Sequence, residues 1–210
     1  MSWTLCIDFG TAFSKAAVAP SNSWNHFEPG LIRPLMLGGE NQGANTFLLP
    51  SAVFVDDERV LFGPAAIARA AALADQKRAA LKSFKTLLSV SDLDRALNTR
   101  LPTSIDPHHH FSMGDLITLY LAYLGASIDR AIAADPVLER FAAFSRRYAA
   151  PAWRGADGAK PQPLQRTLQL VSPLMRRRSF SRTWARAQPI SRRSLASARA
   201  LRNWRMRGLR

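Results

Sequence analysis

Along residues 1–150, short apolar runs broken by turn residues come first, and longer runs with apolar positions three and four apart come later. Residues 3–9 (WTLCIDF) and 13–19 (FSKAAVA) read as two strands around the Gly10-Thr11 turn. Residues 20–48, rich in Asn, Gly and Pro, read as loop with one short strand around 31–37. A third strand is expected over 52–55, a turn at Asp56-Asp57-Glu58, and a return strand over 60–62. Pro64 follows Gly63 and opens a helix running to residue 84, because proline suits a first helical turn. Residues 89–98 predict a second helix capped by Ser91 or Ser89, and 101–110 a loop. Residues 111–135 carry the strongest helical signal, with Ser112 as cap and Asp115 three positions on. Helical character is expected to extend through 136–147. Strands followed by helices point to an α/β or α+β domain.

Charge divides the chain where the pattern stops. The net charge is +14. Residues 1–150 hold 14 Lys and Arg against 14 Asp and Glu, whereas residues 151–210 hold 15 against one acid, Asp157. Fourteen of those 15 are arginine. Residues 1–150 therefore read as one folded domain and 151–210 as a basic tail without period. Arginines at 176–178 and 192–193, interleaved with Trp184 and Trp204, suit phosphate contact and base stacking. The abrupt change near 151–156 and the Arg, Ala, Ser and Pro bias also match out-of-frame translation of a GC-rich gene.

The single cysteine, Cys6, lies in an apolar run and is expected to be buried and inert. A reducing cytoplasm fits that reading. No apolar run reaches the roughly 18–20 residues that span a bilayer, so no membrane association is expected. His108-His109-His110 reads as a solvated loop, and the Asp56–Glu58 triplet as a hairpin turn. Trp3, Trp24 and Trp153 read as packing residues.

The stretch CIDFGTAFSKAAVA, residues 6–19, carries the chemistry. A nucleoside triphosphate with Mg²⁺ needs a tight turn whose N–H groups face phosphate. It also needs a carboxylate near the metal's waters and a cation against the transferring phosphoryl group. Asp8 followed by Gly10-Thr11 supplies the first two. Asp-x-Gly-Thr is also ordinary turn chemistry, and the motif alone leaves both readings open.

Three segments in order narrow the choice. IDFGTAFSKAAVA resembles the phosphate-1 segment of the Hsp70 chaperone family, within the actin, hexokinase and Hsp70 superfamily. LPSAVFVDDERVLFGPAAIARAAA resembles that family's Pro-Ser strand, acidic hairpin and following helix. ALKSFKTLLS resembles the segment bearing its phosphate-facing lysine. The resemblance covers residues 3–90. It implies an α/β fold, the first lobe of an actin-like (ribonuclease H-like) ATPase, with a mixed β-sheet and flanking helices. It also implies ATP or ADP with Mg²⁺ as ligands, and unfolded clients or co-chaperones as partners. Asp8 matches the aspartate that holds Mg²⁺ through water, Gly10, Thr11, Ala12 and Phe13 the phosphate-binding turn, and Lys85 the catalytic lysine. Ala12, Phe13 and Ser89 depart from the usual Thr, Asn or Tyr, and Gly. The second phosphate segment and the adenosine segment of the family have no counterpart here. The alternatives are a non-catalytic nucleic-acid-binding protein acting through the arginine-rich tail, or a fragment without activity.

Overall fold

In the computed structural model, the structure describes residues 3–21, 29–38, 45–57, 59–90, 92–141 and 143–149. The expectations for Trp24, Trp153, Ser91 and the whole of 151–210 lie outside these residues.

The protein is mixed α/β, built on two small sheets. Strand β1 (Trp3–Asp8) turns back into β2 (Phe13–Pro20) as an antiparallel hairpin pairing Asp8 with Lys15. Strand β3 (Arg33–Pro34) adds to β2, and β4 (Leu49–Pro50) pairs with the turn end of β2 at Phe13 and Ser14. The second sheet has β5 (Ala52–Val55) at its centre, between β6 (Val60–Phe62) and β7 (Leu81–Lys82). All four β5 residues are buried. Val53 and Val55 join the main core, while Ala52 and Phe54 pack with Ala66 of helix α1 (Gly63–Ala72). A continuous apolar run buried on both faces is what a central strand requires.

Helix α2 (Leu93–Asn98) is capped by Asp92, whose carboxylate accepts the Arg95 N–H at 2.9 Å. Asp92 stands where a serine cap was expected, and it is equally able to satisfy an open first-turn donor. Helix α3 (Met113–Ala134) carries the capping box that its sequence announces: Ser112 accepts from the Asp115 N–H, and Asp115 from the Ser112 N–H. Its buried stripe, including Leu116, Tyr120, Leu124 and Ile128, packs with Leu5, Ile7 and Val18 in one core. Among the described residues α3 alone is long and apolar enough to cross a membrane by length and composition, and 61% of that stretch is buried inside the fold.

Three expectations are corrected. Helix α1 ends at Ala72, not residue 84. The chain turns through Lys77, which has a left-handed φ of 57°, and returns as β7. Arg78 drives this: its guanidinium lies 5.1 Å from the Phe54 ring centroid and donates to the Val55 carbonyl. Tertiary anchoring of one side chain outweighs the Ala-rich helix propensity. Next, residues 136–147 do not continue a helix. After α3 the chain turns and Ser145–Tyr148 forms β8, parallel to β1. Asp135 stops the helix by accepting the N–H groups of Val137 and Leu138. Finally, Cys6 is exposed, not buried. Leu5 and Ile7 point into the core, so strand alternation turns Cys6 to the opposite face of the sheet.

Candidate functional site

The β1–β2 turn is held from beneath by hydroxyls. Ser51, just before β5, donates its Oγ to the Gly10 carbonyl at 2.8 Å and its N–H to the Ala12 carbonyl at 2.9 Å. Ser14 Oγ lies 3.1 Å from Ser51 Oγ, and Tyr120 of α3 donates to Ser14 at 3.1 Å. Ser14, Ser51 and the Tyr120 hydroxyl are buried, and burial pushes the Tyr120 phenol up to about 12, against the smaller opposing effect of its hydrogen bonds to Ser14 and Ser51. The hydroxyl therefore stays protonated and acts as donor across the physiological range. A satisfied buried network of this kind fixes a backbone in one arrangement.

Gly10 is required by space. A Cβ at this position would lie 1.9 Å from the Phe13 carbonyl oxygen. The turn can close this tightly only without a side chain there. With the Gly10 and Ala12 carbonyls engaged by Ser51, residues Thr11, Ala12 and Phe13 stand exposed at the tip, Phe13 at 48%.

Lys85 reaches this end of the sheet by a different route. After β7, Ser83 takes a left-handed φ of 55°, and a 3₁₀ turn spans Phe84–Ser89. Phe84 is 1% exposed and packs against Phe9 (5.6 Å between ring centroids) and Tyr120 (5.0 Å). That plug sets Lys85 Nζ 3.6 Å from Asp8 Oδ1. Lys15 Nζ lies 3.6 Å from the other oxygen, Oδ2. The Lys85 side chain is only 15% exposed, so this contact is shielded from solvent on one side. One carboxylate shared by two ammonium groups leaves a surplus of positive charge beside the turn.

All six residues expected from the sequence thus sit at one end of the first sheet. Asp8, Gly10, Thr11, Ala12 and Phe13 are there by chain continuity, and Lys85 by packing. What the sequence reading missed is the hydroxyl support. Ser51 stands in the Pro-Ser segment that carried part of the resemblance, yet its role needs the β4–β2 pairing. Tyr120 reads only as another apolar position on α3. Among the described residues no three or more His, Cys, Asp or Glu side chains gather as a metal cage. His108, His109 and His110 lie in the loop before α3, with His108 stacked on His110 at 5.4 Å and its Nε2 3.9 Å from Asp57.

No protein-family model matches this chain, and no curated protein matches it.

Proposed function

We propose that this domain binds the phosphates of ATP or ADP with Mg²⁺ at the Gly10–Phe13 turn, as one lobe of an actin-like, Hsp70-type ATPase. The observation that carries this reading is the Lys85–Asp8 contact at 3.6 Å. Two residues far apart in sequence, each matched independently to a phosphate-site role by resemblance, meet beside the one turn that matches the phosphate loop. The hydroxyl clamp adds support, because it ties the turn's carbonyls inward and leaves its amides as the groups suited to an anion. Asp8 would hold waters of the metal, Thr11 and the turn's backbone the phosphates, and Lys85 the terminal phosphoryl group. Bound Mg²⁺ would offset phosphate charge. Hydrolysis, clients and co-chaperones follow from the resemblance alone.

Calorimetric titration of the full chain with Mg-ADP and Mg-ATP tests the reading. The expected result is a Kd of about 1 mM or tighter, worth ~4 kcal/mol, lost in Lys85→Ala and weakened in Asp8→Asn. Absence of binding, or binding indifferent to both substitutions, overturns it.

A second reading is favoured by the charge asymmetry, 15 basic residues against one acid over 151–210. Such a tail binds RNA or DNA through counterion release, with affinity falling steeply as salt rises. Deleting residues 154–210 is expected to abolish a salt-dependent RNA affinity and to leave nucleotide binding intact.

A further inference from the structure

The two halves of the candidate site, the Gly10–Phe13 turn and Lys85, come from distant parts of the chain and must face one ligand together. A mismatch of about 1 Å between groups that act on the same atoms is enough to lose most of their joint effect. Tyr120 of α3 touches the supports of both halves. Its hydroxyl lies 3.1 Å from Ser14 Oγ, 3.2 Å from the Pro50 carbonyl oxygen and 3.4 Å from Ser51 Oγ. Ser51 in turn holds the Gly10 and Ala12 carbonyls. The Tyr120 ring meets Phe84 edge-on at 5.0 Å and Phe9 at 6.0 Å. Phe84 immediately precedes Lys85, and Phe9 immediately follows Asp8. An apolar core position on α3 needs no hydroxyl, whereas tyrosine supplies a large ring and a polar tip in one side chain.

We propose that Tyr120 is the positioning residue of this site, its hydroxyl fixing the phosphate turn and its ring fixing Lys85 against Asp8. Helix α3 thereby keeps the two halves in register, and a displacement of the helix at Tyr120 changes both at once. The hydroxyl and the ring act on different partners, so substitution separates them. Removing the hydroxyl loosens the Ser14–Ser51 clamp and leaves the stack of Phe9, Phe84 and Tyr120 in place. Removing a ring frees Phe84, and Lys85 with it. The proposal takes the turn and Lys85 as one site and so rests on the nucleotide reading for its purpose, but its geometry is tested without nucleotide.

Two readouts on the full chain follow the two halves. Hydrogen exchange at the Ser51 amide, which donates to the Ala12 carbonyl, reports on the clamp, with the Leu5 amide as reference for overall stability. Acylation of Lys85 by sulfo-NHS-acetate, relative to exposed Lys77, reports on the lysine. Tyr120→Phe is expected to speed Ser51 exchange about fivefold, the scale of one hydrogen bond, with Lys85 acylation unchanged. Tyr120→Leu is expected to raise both, Lys85 acylation by about threefold or more, the scale of one aromatic pair. Phe84→Leu keeps the Tyr120 hydroxyl and serves as the second variant should Tyr120→Leu fail to fold. It is expected to raise Lys85 acylation alone. A merely structural role for Tyr120 predicts instead that both readouts follow overall stability in every variant, and that outcome overturns the proposal. So does Tyr120→Phe changing neither readout or both alike, or Phe84→Leu changing Ser51 exchange and not Lys85. Calorimetry with Mg-ADP on the same variants keeps the two claims apart. No binding by the wild type overturns the nucleotide reading, while the split between the two readouts still decides the role of Tyr120.

Discussion

Among the described residues, two tight hairpins each have an aspartate beside the turn, and they use that carboxylate in opposite ways. In the β5–β6 hairpin, Asp56 is gripped by Arg69 through two hydrogen bonds of 3.2 Å and approached by Arg59 at 3.4 Å. Its side chain is 8% exposed. Burial pushes the Asp56 carboxyl up, but the Arg69 hydrogen bonds and charge, with help from Arg59, overcome this and hold it below the ordinary carboxylate value. In the β1–β2 hairpin, Asp8 is 33% exposed and faces two lysines at 3.6 Å, beyond hydrogen-bond length. A planar guanidinium fork saturates a carboxylate, whereas an ammonium at longer range leaves its lone pairs open. The first turn is closed structure. The second has the makings of a site.

The sharpest way to break the contrast is at Gly10. Gly10→Ala forces the new methyl group into the Phe13 carbonyl, and a loss of about 2–4 kcal/mol in unfolding free energy is expected from denaturant titration. Next in size is the clamp. Ser51→Ala leaves the part-buried Gly10 carbonyl without its hydroxyl donor, at an expected cost of about 1–2 kcal/mol, and Tyr120→Phe about 1–2 kcal/mol. If the clamp orients the turn, Ser51→Ala also weakens Mg-ADP binding in the folded protein.

The two aspartates themselves give a paired test. Asp56→Asn is expected to cost about 1–3 kcal/mol at neutral pH, and Asp8→Asn less than about 0.5 kcal/mol, while only Asp8→Asn impairs nucleotide binding. Equal stability losses would erase the contrast between the two carboxylates. The smallest effect concerns pH. The folded-state value of Asp56 lies below its unfolded value of about 3.9. Its stabilisation is therefore complete above about pH 4 and is lost as pH falls through the lower folded value. Asp135 behaves in the same way. Burial raises it, but the Val137 and Leu138 N–H groups and the Arg33 guanidinium overcome that and lower it. Acid titration of wild type against Asp56→Asn should show the difference between them shrinking below about pH 4.

How much of this was legible in the sequence depended on distance along the chain. The β1–β2 and β5–β6 hairpins, the α3 capping box and the Gly10 turn are local, and each is written within a few consecutive residues. Strand β8 is not. Ser-Arg-Arg-Tyr has no apolar alternation to advertise it, and it becomes a strand because β1 offers an open edge. The end of α1 escaped notice because Arg78 acts through Phe54 and Val55, partners on another element. Cys6 lies in an apolar run, but strand alternation puts it on the face opposite Leu5 and Ile7. At the candidate site, Asp8, the turn and Lys85 were singled out by resemblance, and the fold brings Lys85 to within 3.6 Å of Asp8. Ser14, Ser51 and Tyr120 were not, since three hydroxyls on separate elements converge only after the sheets pack on α3.

The parallel pairing of β8 with β1 has a consequence for how the protein comes to be. Thr4 and Ser145 face each other across 141 residues of chain. Contacts of such separation close late and slow folding, because the loop entropy must be spent before the contact forms. During synthesis β1 emerges well before its partner β8, which leaves the ribosome only after both hairpins and α3 are made. Until then one side of β1 offers unpaired backbone groups, an aggregation-prone edge. A nascent chain stalled before residue 145 should therefore hold both hairpins yet depend on a chaperone to stay soluble, and release past residue 149 should end that dependence.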